Sequence, residues 1–138
     1  MEAFTLTGHP GIGPKVAGIA LAAADNFSAR YDLDRIKGVF SRPSHKLVGE
    51  SYVGKILVLN TAKGGVATAW MLREMAARGM APLALLFNSV NPILAQGAAF
   101  ADVALMDRFE RDVTQVIRSG DELTLDPAAG LVTVRRGT

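Results

Sequence analysis

Apolar positions in this chain fall into short runs separated by glycine, proline and charged residues, and the runs change period along the sequence. The opening stretch, residues 1–26, carries two turn signals, Gly8-His9-Pro10-Gly11 and Gly13-Pro14, and then an apolar run over residues 15–21 that predicts a strand. Residues 27–51 are polar and without a period. An irregular stretch of that length in a small domain often carries function. From Lys55 the pattern sharpens. Residues 55–59 form a continuous apolar run suited to a strand buried on both faces. Residues 66–78 read as a helix, with Met71, Leu72 and Met75 on a core stripe and Arg73, Glu74 and Arg78 on the wet side. Glu74 and Arg78 stand in the favourable i,i+4 order, Gly79 follows as a C′ residue, and Pro82 prevents continuation. Residues 83–87 predict a second buried strand, and a helix then opens at Asn91-Pro92 and runs to about Ala101. Residues 103–106 fit a third short strand.

The tail switches to period two. Val113, Gln115, Val116 and Ile117 read as a strand-like run. Residues 123–125 and 131–134 flank Asp126-Pro127-Ala128-Ala129-Gly130 as a hairpin with a longer loop. The expected architecture is an α/β core between β-rich ends: one domain over residues 1–138, a small barrel or sandwich with two or three covering helices. No internal repeat, low-complexity segment or linker divides it.

Composition narrows the chemistry. With 138 residues the chain can build a core without disulfides or metal. It has no cysteine, hence no thiolate nucleophile and no cysteine ligand for zinc or an iron–sulfur cluster. No His/Asp/Glu group has metal-ligand spacing, so no metal ligand is expected here. The formal charge of +2 is spread along the chain rather than clustered, which argues against a nucleic-acid surface. The first residues lack a signal-peptide pattern, and the apolar runs are too short for a membrane span, so a cytoplasmic location is expected.

Three places could carry chemistry. The first is the strand–turn–helix at residues 55–78. There Lys63-Gly64-Gly65 lets backbone N–H groups and a helix N-terminus meet an anion, with Lys63 as a mobile charge. The same residues also make an ordinary β–α turn with a surface lysine, since the Walker spacing is absent. The second is Asn88-Ser89-Val90-Asn91-Pro92 after the next strand, where helix capping is the simpler role. The third is the irregular region, with Ser28, Arg30, Ser41, Arg42 and His45. Its arginines and histidine could clamp a carboxylate or phosphate, although a loop histidine more often serves a local hydrogen bond.

These residues resemble the aconitase X swivel domain. His45-Lys46-Leu47-Val48-Gly49-Glu50-Ser51-Tyr52-Val53-Gly54-Lys55-Ile56-Leu57 is similar to that family's His-x-Leu-x-Gly-x-Ser-x-x-Gly-Lys-hydrophobic segment. Lys63-Gly64-Gly65 lies where the family has an Arg-Gly-Ser loop. Gly79-Met80-Ala81-Pro82 and Asn91-Pro92-Ile93-Leu94-Ala95-Gln96-Gly97-Ala98 resemble its Gly-x-Ala-Pro and Asp-Pro-Ile-Leu-Ala-x-Gly-Ala segments. Ser28, after Phe27, sits where the family has Leu-Ser-Phe-Trp-Gly, and Gly120-Asp121-Glu122-Leu123-Thr124-Leu125 fits its closing segment. The likeness runs over about residues 8–135, in the family's order.

The resemblance implies a swivelling β/β/α-type domain that acts as the small subunit of a hydro-lyase. It would close over the active site of a larger subunit that holds the iron–sulfur cluster, with no cofactor bound by this chain and no catalysis without the partner. It implies a small hydroxy acid as substrate, cis-3-hydroxy-L-proline first and a phosphorylated acid such as mevalonate 5-phosphate less favoured, with Ser28, Arg30, His45, Lys63, Gly64 and Gly65 as the substrate-binding set. One departure matters. The family's proposed proton acceptor is the serine of Arg-Gly-Ser, and this chain has Gly65 there. Thr68, about one helical turn on, is the hydroxyl that could replace it, with Thr61 as another, although an unactivated hydroxyl is a poor base. The departure leaves a second expectation, a non-catalytic binding or regulatory module of the same fold. A phosphohistidine carrier is disfavoured, because neither His9 nor His45 lies at the start of the helix at residues 66–78.

Overall fold

The computed structural model describes residues 2–28, 32–62, 66–90 and 92–136. The elements run β1 (Glu2–Thr7), β2 (Val16–Ala22), β3 (Leu33–Asp34), β4 (Val39–Phe40), β5 (Ile56–Thr61), α1 (Val66–Ala77), β6 (Ala84–Ser89), α2 (Pro92–Phe100), β7 (Ala104–Met106), α3 (Val113–Val116), β8 (Glu122–Asp126), a 3₁₀ turn (Pro127–Ala129) and β9 (Leu131–Arg136). Seven strands make one sheet in the order β1-β9-β8-β2-β5-β6-β7, and β3 and β4 pair separately.

The sheet has two halves, and they follow the two periods in the sequence. β2, β5, β6 and β7 run parallel, with Leu57 opposite Leu85 and Leu85 opposite Leu105. β8 pairs antiparallel with both β2 and β9, and β9 with β1. The segment after β1 joins the two edges. Ile12 exchanges main-chain hydrogen bonds of 2.9 Å with Leu105 of β7, and the Gly8 and Gly11 N–H groups donate to the Gly130 and Pro127 carbonyls. A Cβ at Gly11 would lie 2.1 Å from the Leu105 carbonyl oxygen, so only glycine allows this approach. The sheet thus curls into a small barrel, one of the two forms, barrel or sandwich, that the sequence leaves open.

Alternation along each strand sorts the core into two clusters. Leu6, Ile56, Val58, Leu86, Met106, Leu125 and Val134, drawn from every part of the sheet, point to one interior cluster. Leu57, Leu59, Leu85, Phe87 and Leu105 point the other way, against Leu72 and Met75 of α1 and Ala98 of α2. This explains why the parallel strands read as continuous apolar runs. The irregular region supplies the rest of the second cluster: Phe27, Phe40 and Tyr52 are fully buried there.

Helix boundaries match the sequence closely, and their chemistry is visible. Gly79 has φ +70°, and the Met80 and Gly79 N–H groups donate to Met75 (2.8 Å) and Ala76 (3.1 Å), a Schellman end for α1. Glu74 and Arg78 lie 3.6 Å apart. α2 ends in the same way, but with Asp102 in the left-handed position at φ +57°. A side chain there carries a steric cost that glycine avoids. Asp102→Gly is therefore expected to raise the unfolding free energy by about 0.5–1 kcal/mol, measured by urea denaturation.

Two readings of the sequence need correction. β1 went unread because its period-two pattern has only Phe4 and Leu6 facing inward, with Ala3, Thr5 and Thr7 outward. The strand-like run at residues 113–117 is the helical turn α3: the Asp112 side chain accepts from the Thr114 N–H as an N-cap, and buried Val113 and Ile117 share one face at i,i+4. No helix among the described residues is long and apolar enough to cross a membrane.

Candidate functional site

The carboxyl ends of β2, β5 and β6 converge, as expected for ligand-binding ends of parallel strands. Past β2 the chain keeps alongside β5. The Asn60 N–H donates to the Asp25 carbonyl (2.8 Å) and the Phe27 N–H to the Thr61 carbonyl (2.9 Å), and Phe27 bridges Ala62. Ser28 is the next residue on one side of that bridge, and Lys63 follows on the other in sequence. Lys63, Gly64, Gly65 and Arg30 lie outside the described residues, as does the side chain of Thr68.

Ser28 is held by a neighbouring carboxylate. Its N–H donates to Asp32 Oδ2 (2.9 Å), and its carbonyl accepts from the Asp32 N–H. Asp32 is buried and ion-paired with Arg42. The Arg42 guanidinium also donates to Ser44 Oγ and lies 4.0 Å from Asp25. The carboxylates it holds are the protein's own.

His45 is fully buried, stacked on Phe40 with ring centroids 4.6 Å apart. The Leu47 N–H donates to Nδ1 (3.0 Å), which leaves Nε2 to donate to the Asn26 carbonyl (2.8 Å). Both ring nitrogens are thus engaged with main chain, and His45 reaches the site through the loop it braces. Asp25 completes that brace. Its oxygens accept from the Asn26 and Lys46 N–H groups. Partial burial raises its pKa, but these two donors, with Arg42 nearby, bring the carboxyl net below the usual aspartate value.

Beside this loop lies a shallow cleft of about 310 Å³ lined by Asp25, Asn26, Asn60, Asp112, Thr114 and Gln115. A chain of amides leads into it, with Asn60 and Asn26 in the lining. Asn88 Oδ1 accepts from the Val113 N–H (3.0 Å), and its Nδ2 donates to Asp112 Oδ1 (2.8 Å) and Asn60 Oδ1 (3.1 Å). Asn60 Nδ2 in turn donates to Asn26 Oδ1 (3.2 Å). Asp112 is kept below the usual aspartate range by the hydrogen bonds from the Thr114 side chain and Asn88. Asn88 therefore caps a helix, but that helix is α3 rather than α2. Thr61 Oγ1 donates to the Ser89 carbonyl (2.9 Å), so its hydroxyl ties β5 to β6. Part of the amide chain had a signal in the sequence: an asparagine directly follows each of two apolar runs, at positions 60 and 88, while Asn26 comes one residue later than such a place, after Asp25.

The side chains present do not suit a metal cluster. There is no cysteine, and no group of three or more His, Asp or Glu among the described residues could hold a metal ion.

The architecture is one seen before. The crystal structure of Thermococcus kodakaraensis aconitase X superposes with a TM-score of 0.88 over 96% of this chain and 99% of that chain, at 22% identity. At that identity the likeness concerns the fold, a swivel-type α/β domain. The sequence goes further. The family model for the aconitase X swivel domain matches residues 5–134, and the chain belongs to that family. Similar proteins include the phosphomevalonate dehydratase small subunits of Methanopyrus kandleri, 35% identical over 107 residues (78% of this chain, 79% of that protein), and Methanocella arvoryzae, 28% identical over 127 residues (92% and 96%).

Proposed function

We propose that this chain is the small, swivel subunit of an aconitase X-type hydro-lyase that removes water from a small hydroxy acid, with mevalonate 5-phosphate as its substrate. The observation that carries this reading is the near end-to-end match to proteins named as phosphomevalonate dehydratase small subunits, 92% of this chain on 96% of one of them. cis-3-Hydroxy-L-proline is the competing substrate, since nothing in the described residues selects between the two acids. The iron–sulfur cluster belongs to a large partner subunit in this reading, because the present chain has no cysteine to ligate it. The chain's own part is to close over the bound acid. The Lys63-Gly64-Gly65 turn would hold an anionic end of the substrate through N–H groups and an ammonium, Ser28, Arg30 and the loop braced by His45 would line it, and Thr68 would take the place of the missing serine hydroxyl.

Co-expression with the large subunit under anaerobic conditions tests it. The expected result is a one-to-one, iron-containing complex that dehydrates mevalonate 5-phosphate, and neither subunit active alone. In that complex, replacing Lys63 and Thr68 together by Ala is expected to lower kcat/KM by more than about tenfold, roughly 1.4 kcal/mol of barrier. Gly65 at the serine position favours a second reading, a binding or regulatory module. Turnover unchanged within about twofold in the double variant would select it. Full activity from the isolated chain would overturn both.

A further inference from the structure

We infer that Asn26 is a substrate-binding residue whose side-chain amide donates a hydrogen bond to an uncharged oxygen, the hydroxyl of the acid, and that Asn88 is a positioning residue acting through it. The inference deepens the function proposed above and rests on it for the identity of the ligand.

Asn26 is held at three points. Its N–H donates to Asp25 Oδ1 (2.8 Å), its carbonyl accepts from His45 Nε2 (2.8 Å), and its Oδ1 accepts from Asn60 Nδ2 (3.2 Å). Among the described residues only Nδ2 has no partner, and the residue lines the cleft. The direction of that amide follows from one main-chain group. The Val113 N–H can only donate, so the Asn88 atom facing it is oxygen. Asn88 then presents nitrogen to Asp112 and Asn60, Asn60 presents nitrogen to Asn26, and Asn26 is left with its NH₂ group outward. An amide locked in this way is a preorganised donor, because little side-chain freedom remains to be lost when a ligand binds.

The lining also states what kind of oxygen fits. Asp25 and Asp112, both acidic carboxylates, share the cleft with Asn26, and its described lining includes no cationic side chain. A carboxylate or phosphate would face like charge there. A hydroxyl would not, and its own proton has acceptors within reach of the cleft in Gln115 and in Asp112 Oδ2, which accepts from no described residue.

The test uses the two-subunit complex with mevalonate 5-phosphate and its 3-deoxy analogue, which lacks the hydroxyl. Asn26→Ala is expected to weaken binding of mevalonate 5-phosphate about tenfold by calorimetry, and to leave binding of the 3-deoxy analogue within about twofold. Asn26→Asp should weaken the first at least as much. A collapsed loop would move both ligands together, and that result overturns the assignment, as does unchanged binding of mevalonate 5-phosphate. The relay is read separately in the ¹⁵N-labelled full chain. Asn88→Asp, which removes the Nδ2 donor, should shift the side-chain NH₂ signal of Asn26. An unmoved signal overturns the relay whether or not the complex is active. A wild-type complex that neither binds nor dehydrates mevalonate 5-phosphate overturns the functional reading itself and, with it, the substrate role of Asn26.

Discussion

Replacing Asp121 by Ala is expected to lower the unfolding free energy by about 3–5 kcal/mol, enough to remove much of the stability of a domain this size. Asp121 is buried at the start of β8. Its Oδ1 and Oδ2 accept from Arg136 Nε (3.0 Å) and Nη2 (2.8 Å), and Oδ2 also accepts from the Arg118 N–H (2.8 Å). Arg136 Nη2 continues to the Val116 carbonyl (2.9 Å), and its guanidinium lies 5.6 Å from the Phe4 ring centroid. One fork thus ties β9 to α3, to the turn before β8 and to β1, so truncating the carboxylate takes two charge-assisted hydrogen bonds from a largely buried cation and one from the Arg118 N–H. The double variant Asp121→Leu/Arg136→Met should recover part of the loss, because replacing both charges leaves no buried cation that has lost its carboxylate. Chemical denaturation of the unaltered chain, Asp121→Ala and Asp121→Leu/Arg136→Met measures this, and a double variant no better than Asp121→Ala would count against it. The pair also has a pH signature. Burial raises the Asp121 pKa, but the Arg136 hydrogen bonds and charge and the Arg118 N–H outweigh it, and the folded value lies below the ordinary one. A carboxyl depressed on folding contributes stability above its unfolded pKa of about 3.9, and that stability is lost as pH falls through the lower folded value. The acid limb of the stability curve should therefore flatten in Asp121→Leu/Arg136→Met.

The parallel half of the fold was legible in the sequence because it obeys one rule. Strands buried on both faces read as apolar runs, and the helices between them carry caps at Gly79 and a stripe at Leu72 and Met75. The parts that escaped have physical reasons. β1 presents only two inward residues, too few to separate a period-two pattern from a loop. Val113 to Ile117 has β-branched residues that favour a strand, and the Asp112 cap and the burial of Val113 and Ile117 override that preference. β3 and β4 have two residues each and are fixed by burial of Leu33 and Phe40 rather than by propensity.

The site was legible in kind but not in function. Ser28 and His45 were found as polar residues in an irregular stretch, but no local pattern shows that Asp32 grips one and that main chain occupies both nitrogens of the other. The Asn26–Asn60–Asn88 chain is formed by residues 28 to 34 positions apart, and only the parallel register of β5 and β6 brings Asn60 beside Asn88.

That burial makes His45 a test of how the site is built. His45→Ala would open a cavity beside Phe40 and leave the Asn26 carbonyl and the Leu47 N–H without partners, for an expected loss of about 3–5 kcal/mol. His45→Phe preserves the stack and most of the volume and removes only the two hydrogen bonds, so its cost should be smaller but still about 2 kcal/mol or more. The two roles open to this residue separate cleanly here. A side chain that touched substrate could be replaced by Phe with its stability intact and its affinity lost. A brace loses stability first, and it loses affinity only to the extent that Asn26 and Asp25 move. Thermal unfolding of the isolated chain, set beside ligand affinity of the complex at a temperature where His45→Phe remains folded, distinguishes them. The expected outcome is a lowered midpoint together with an affinity loss no greater than that of Asn26→Ala, since His45 acts on the cleft through the Asn26 carbonyl it holds and through Asp25, 3.8 Å from its Nε2.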